Sequence, residues 1–443
     1  MREKTLRFIN SNWFIFFLMS LAVINWSLET IYLYIPIAVL LTYVIILLDF
    51  NRTRLIPILM AGLICFQLKQ IESHIVTFGI MLVFLIPILL YDIFKNRKFQ
   101  FNFVFFGLLM WTLASVSSSF RTTSFIHSFA GILQMLLLLS IFFYFYSALD
   151  INKTKYKETL IINFIFLGFA IIAETFIYLF VMGNFNDYIN NDFNLGWGGF
   201  SSISTIFLVI LFAIIGEYSK KSSNIFLPIL INVFILFLMF FMTRGVYIAF
   251  LVIIIPFILH ISKDFSNKNK LIRFTTITLM TVLCIILLIG IPFGIAGSVI
   301  ERLSDSTVNF ANLDIAFDRG MDVFMLNPIY GTGMFTSHYF LDSITSSLGN
   351  SFFYSNSIIQ ILSSLGLVGF GCFVYFLFTV FKKAKYNTIY NKIVMYIVIS
   401  LSIIGFFDAV FLNVVIMVPL ILFLVGIDEV EEKDKVREGE NYV

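Results

Sequence analysis

Residues 295–356 read IAGSVIERLSDSTVNFANLDIAFDRGMDVFMLNPIYGTGMFTSHYFLDSITSSLGNSFFYSN. They form the one long polar stretch between hydrophobic runs, and they gather Arg302, Arg319, several carboxylates, His338 and a glycine-rich turn. On either side the chain returns to long apolar sequence. A polar stretch in that setting reads as a loop between membrane-crossing segments, and the rest of the chain is organised around it.

Composition agrees. The 443 residues are 60% hydrophobic, 18% aromatic and 12% charged, with a mean hydropathy of +0.97; a soluble domain is about half apolar and about a quarter charged. Repeated apolar runs of about 15 to 24 residues suit a hydrocarbon core of roughly 30 Å crossed at about 1.5 Å per helical residue. Inside that core the backbone must satisfy its own polar groups, so each run is expected to be a helix. Spans are expected at 12–26, 31–48, 54–67, 75–94, 103–117, 129–148, 159–182, 200–216, 225–241, 245–261, 274–294, 357–381, 393–407 and 409–427. The segment at 54–67 and the pair around Asp408 are short, which sets the range at about 12 to 14. The expected fold is therefore all-α: a polytopic helical membrane protein, residues 1–427 forming one membrane domain with a single long extracytoplasmic loop late in the chain.

The Lys and Arg residues orient it. With the N-terminus in the cytoplasm, 24 of the 29 fall in alternate segments on that side, as the retention of positive charge near span ends requires. The remaining five are Lys69, Arg121, Arg244, Arg302 and Arg319, four of them arginine. The partition places residues 295–356 on the extracytoplasmic face and both termini in the cytoplasm, in the cell membrane. Residues 428–443, with seven acidic and three basic side chains, read as a disordered cytoplasmic tail. Met1–Arg7 is basic and precedes an apolar run, but Asn25-Trp26-Ser27 is no small-residue cleavage site, so the run is expected to stay as the first helix. Cys65, Cys284 and Cys372 each lie in an apolar run and read as packing residues, not as a disulfide framework or metal cluster. The net charge of +3 leaves no footprint for nucleic acid.

The candidates for chemistry start with the arginines that escape the positive-inside bias. A guanidinium is permanently charged and its donor fork suits phosphate oxygens. Arg244, in Met242-Thr243-Arg244-Gly245, occupies a turn so short that it must lie near the membrane plane; an interfacial anchor or ion pair is the plain alternative. Arg319 has Asp322 three residues on as a local partner, and Arg302 has Asp305. Tyr330-Gly331-Thr332-Gly333 follows Asn327-Pro328 and is a turn that can either present N–H groups to an anion or serve structure alone. Asp314, Asp318 and Asp322 share a helical face, which is a solvated face or a cation site. Glu174 lies about two-thirds of the way along its span, where an ionisable group is costly enough to be a functional candidate. His338 is either a surface histidine or a general base. Between Gly183 and Ser202, Tyr188, Trp197 and Phe200 offer aromatic faces for sugar rings or for the membrane interface.

The order of these features resembles the O-antigen ligase and polymerase superfamily of bacterial envelope glycan assembly. The resemblance rests on Thr243-Arg244-Gly245 opening a span and on the long late loop. Within the loop it rests on Arg319-Gly320, Asn327-Pro328-Ile329-Tyr330-Gly331-Thr332-Gly333, Ser355-Asn356-Ser357-Ile358-Ile359-Gln360 and Leu365-Gly366-Leu367-Val368-Gly369. It covers roughly 130 residues from Thr243. The resemblance implies that Arg244 and Arg319 meet a polyprenyl-diphosphate-linked sugar donor at the outer membrane face, with Arg302, Arg121, Trp197, Tyr330, Gly331, Gly333 and Asn356 as substrate-binding candidates. Family members often carry His-Asn where this chain has Ser355-Asn356, and in the ligases that histidine is the favoured base. Its absence leaves His338, Asp318 or Glu174 for that role and favours polymerase over ligase chemistry.

The implied reaction is glycosyl transfer in which polyprenyl diphosphate leaves the anomeric carbon and a sugar hydroxyl attacks; the scheme needs no cofactor and no metal. Its partners would be polyprenyl-diphosphate-linked oligosaccharide, membrane lipid, a flippase and chain-length regulators. A ligase, sharing most of the site, and a flippase for lipid-linked oligosaccharide are the alternatives.

Overall fold

The computed structural model describes residues 7–48, 50–65, 84–95, 101–120, 122, 125–148, 153–220, 226–262, 297–299, 317–336, 356–385 and 388–428. Among them the chain is helical, with one isolated β-bridge between Asn194 and Gly199. Three helices are long and apolar enough to cross a membrane, within Ser128–Ser147, Lys155–Val181 and Ser357–Lys383, and eight shorter apolar helices accompany them. The expected span at 274–294 lies outside the described residues. Large apolar side chains such as Trp13, Phe120, Phe180, Leu367 and Phe378 are exposed on these helices. That outward apolar surface suits a lipid medium and would be a liability in water.

The described helices gather into two compact units. Unit 1 contains α1 (Asn12–Ser27), α2 (Ile31–Leu47), α3 (Leu55–Cys65), the helical stretch 84–95, α6 (Lys153–Phe176), the short α7 (Phe185–Ile189), α8 (Phe200–Lys220) and α9 (Phe226–Phe241). Unit 2 contains α4 (Phe103–Ser119), most of α5 (Phe125–Ala148), α10 (Arg244–Ser262), the helical stretch 317–326, α11 (Ser357–Lys383), α12 (Ile389–Ile404) and α13 (Val414–Val425).

In unit 1, α1, α3 and α6 pack on one another, and α8 packs on α6 and α9. Arg52 and Arg54 read from sequence as flanking charges; both are buried. Arg52 grips Asp92 with two nitrogens, its Nε at 3.0 Å, and donates to the Phe50 carbonyl. The Tyr144 hydroxyl adds a bond of 2.7 Å to the same carboxylate. A buried pair of this kind is tolerated because each oxygen has a donor, and removing either partner strands a charge. Arg54 donates to the Asn10 and Ser11 carbonyls.

Unit 2 is built on the pairing of α4 with α11, where Trp111 stacks on Phe376 and packs at a tilt against Phe373. Gly107 makes the close approach possible, since a Cβ there would stand 2.9 Å from the Phe376 Cα. Asparagine and threonine caps set the helix starts: Asn102 accepts from Phe105, Asn356 from Ile358 and Ile359, Thr388 from Asn391 and Asn413 from Val415. Each supplies an acceptor for N–H groups that the first helical turn leaves unpaired. At the other end of α13, Asp428 closes the unit by exchanging bonds with Asn391 and accepting from Thr388.

Helix α11 is broken. At Gly366 the backbone takes φ 65° and ψ −166°, a left-handed value open to glycine and strained for other residues. The break frees carbonyls and N–H groups, and the segment 328–333 fills it. Thr332 and Gly333 donate to the Ser363 and Ser364 carbonyls at 3.0 and 2.9 Å, while Leu367 and Val368 donate to Pro328 and Ile329 at 2.8 and 3.1 Å. The crossing thus pairs non-helical backbone with the groups freed at the break, the condition under which it is stable in an apolar unit.

Candidate functional site

The arginine singled out at residue 244 is the first residue of α10. Its neighbour Gly245 lies so near the turn 405–408 that a Cβ would stand 2.9 Å from the Phe407 Cβ. That turn also receives the start of α11. Ser357 donates its N–H to Gly405 at 2.7 Å and its hydroxyl to the Asp408 carbonyl at 2.8 Å, and the Asn356 amide donates to Phe406 at 3.1 Å. Two helix N-termini, one of them beginning with Arg244, therefore meet one four-residue turn that ends in Asp408. The first N–H groups of α11 are taken up by Gly405 and Asn356, so it is the helix dipoles, together with Arg244 at the start of α10, that favour negative charge there. The Asp408 Oδ1 accepts from Ala409 N–H at 2.7 Å, which fixes the carboxylate's direction.

Asp318 and Arg319 lie on the stretch 317–326, Asp318 exposed and Arg319 half-buried. Asp322 is exposed on the same stretch, and Asp314 lies outside the described residues. The C-terminal end of that stretch runs into Asn327, whose side-chain amide donates to the Gly331 carbonyl at 2.8 Å, and then into the break of α11. Tyr330 is exposed. Gly331 and Gly333, read from sequence as a turn able to present N–H groups to an anion, have a different task. Their N–H groups and that of Thr332 all donate to protein carbonyls, at 2.9 to 3.0 Å. With no N–H to offer a ligand, the two glycines serve the close crossing with α11.

Glu174 and Trp197 are brought together, both in unit 1. The Trp197 indole Nε1 donates to the Glu174 Oε2 at 2.8 Å, and both side chains are fully buried. This corrects one expectation. Trp197 does not show a ring face to a sugar, and neither do Tyr188 or Phe200, which are buried with Phe193 and Phe241 in a small aromatic core. Glu174, read from sequence as a functional candidate because of its cost in a span, has the Trp197 indole as its partner. The physical reason is that an aromatic-rich loop on an apolar bundle gains more by folding inward than by staying wet.

Arg121, Arg302 and His338 lie outside the described residues. Of the remaining candidates, Arg244 and Asn356 converge on the turn 405–408, and Glu174 and Trp197 on each other. Sequence reading missed Asp408, which stood at the boundary of two short apolar runs. Its only sequence signal was being a lone carboxylate between spans. No family model matches the chain, and no curated protein is similar to it.

Proposed function

We propose that the chain is a polytopic polymerase of the bacterial cell membrane that joins polyprenyl-diphosphate-linked oligosaccharide repeats on the extracytoplasmic face. The observation that carries this reading is the gathering of Arg244, two helix N-termini and Asp408 at the turn 405–408. Such a corner suits a diphosphate that must leave with its electron pair. The acceptor oxygen bonds to the anomeric carbon as the bond from that carbon to the diphosphate oxygen breaks. The acceptor's proton passes to a carboxylate, a role this reading gives to Asp408. Arg244 and the helix N-termini stabilise the charge that develops on the leaving group, a contribution worth several kcal/mol in a dry site. Arg319 supplies further charge to the donor.

The test is the surface polysaccharide of a strain carrying Arg244→Ala or Asp408→Asn at normal membrane abundance. Polymer formation is expected to fall about 100-fold for Arg244→Ala, as loss of one preorganised transition-state donor implies. Arg244→Lys is expected to recover little of it, because a point charge lacks the bidentate fork. Single lipid-linked repeats should accumulate on the outer face. Full-length polymer still on lipid would mean a ligase, repeats held on the inner face a flippase, and unchanged polymer in both variants would remove the turn from the reaction.

A further inference from the structure

The hairpin 194–199 of unit 1 carries a tryptophan buried among the helices. Asn194 and Gly199 form the β-bridge, Leu195 N–H donates to the Gly198 carbonyl at 3.1 Å, and Gly196, at φ 90°, turns the tip. Trp197 at that tip is fully buried in the unit. Two bonds to the helices fasten it: Trp197 Nε1 to Glu174 on α6 at 2.8 Å, and Trp26 Nε1 on α1 to the Leu195 carbonyl at 2.7 Å. Cys65 at the end of α3 donates to the carbonyl of Ala22, one helical turn before Trp26. The thiol therefore lies about one helical turn along α1 from the point where the hairpin is fastened, and it is fully buried.

Two features say that this hairpin is built to leave. First, the closed state does not satisfy Glu174: Oε2 accepts from Trp197, whereas Oε1 is buried among the described residues with no hydrogen-bond partner. Such an orphaned oxygen opposes closure, and hydration on opening would relieve it. Secondly, the glycines able to act as hinges are gathered at the tip, beside anchored residues. The preceding residues are anchored, since Tyr178 donates to Asp187 at 2.6 Å, Tyr188 donates to the Phe240 carbonyl at 2.6 Å, and Phe193 packs on Phe200 and Phe241. The tip itself is Gly196-Trp197-Gly198-Gly199. Glu174 also lies directly before the π-helical turn Ile177–Val181, a distortion frequent at working sites.

We infer that the 194–199 hairpin is a removable plug, latched by Trp197 on Glu174, whose opening admits water to the interior of unit 1 down to Cys65. The inference is independent of the reaction proposed above.

Cys65 is the reporter. In a chain carrying Cys284→Ser and Cys372→Ser, purified in detergent, the labelling rate of Cys65 by a charged, water-soluble methanethiosulfonate is measured. Slow labelling is expected in this parent. An increase of about tenfold is expected in Trp197→Phe, which keeps a ring but loses the latch, as loss of one buried hydrogen bond implies; Trp197→Ala should be faster still. Glu174→Gln, which keeps a carbonyl acceptor, should stay near the parent. Hydrogen–deuterium exchange on the unaltered chain provides a readout with no folding risk, and the hairpin amides should exchange well before those of α8. If the hairpin amides exchange only with global unfolding, or if Trp197→Phe labels no faster than the parent, the hairpin is a fixed part of the core and the inference is overturned.

Discussion

Each unit buries a stretch of non-helical backbone among apolar helices, and the two do so on opposite terms. In unit 2 the segment 328–333 fills the break in α11 mainly by backbone pairing, four N–H groups answering four carbonyls, with the Thr332 hydroxyl adding one bond. In unit 1 the hairpin 194–199 is held by two indole N–H groups, and a carboxyl oxygen beneath it is left without a donor. The first arrangement depends on the path of the main chain and hardly on side-chain identity. The second depends on two tryptophans and a glutamate. A crossing closed by backbone is permanent, because opening it would strand several polar groups in an apolar interior. A crossing closed by side chains, with one acceptor unmet, is nearly balanced.

That contrast can be broken most forcefully at the glycines. Gly331→Ala would set a methyl on the Ser364 carbonyl, and Gly366→Ala one on the Ile329 carbonyl, each at a positive φ. Either change should cost more than about 3 kcal/mol, since backbone on both sides leaves nothing to yield. Thermal denaturation in detergent should show a large loss of melting temperature or no folded protein, and near-normal melting would mean that the crossing is looser than its bonds imply. A smaller effect is expected at Thr332→Ala, which keeps the N–H pairing and loses only the hydroxyl bond to Ser363 at 3.1 Å. About 1 kcal/mol is expected there, and a much larger loss would show that side chains carry the crossing after all.

The smallest net effect should come from a double variant in unit 1, and it sharpens the comparison. Glu174→Met leaves the Trp197 N–H without an acceptor and should cost about 1–3 kcal/mol. Adding Trp197→Phe should return stability close to that of the unaltered chain, because replacing both partners by apolar groups also removes the orphaned oxygen. Additive losses in that double-mutant cycle would mean that the indole bond contributes nothing beyond packing.

Much of the helix pattern is legible in the sequence because it follows from local apolar content. The expected 12–26, 103–117 and 225–241 lie within a residue or two of Asn12–Ser27, Phe103–Ser119 and Phe226–Phe241. Asn356 is readable for a similar reason, as a cap directly before an apolar run. What the sequence hides is pairing at a distance. Gly331 and Gly366 each look like ordinary punctuation, and nothing local says that one fills the gap opened by the other. Trp197 in a polar loop reads alike whether its ring points outward or inward. Asp408 is invisible as a candidate because its interest comes from Ser357 and Gly245, 51 and 163 positions earlier in the chain.

The filled break also sets a timetable for synthesis. Gly333 leaves the ribosome 33 residues ahead of Gly366, an interval of about 2–7 s at about 5–20 residues per second. During that interval the segment 328–333 must be held where water or the insertion machinery can satisfy its polar groups, and α11, once made, remains two half-helices until the segment docks. Assembly of this unit therefore has an obligatory late step, and a chain stopped between residues 333 and 366 should be a preferred target of membrane quality control.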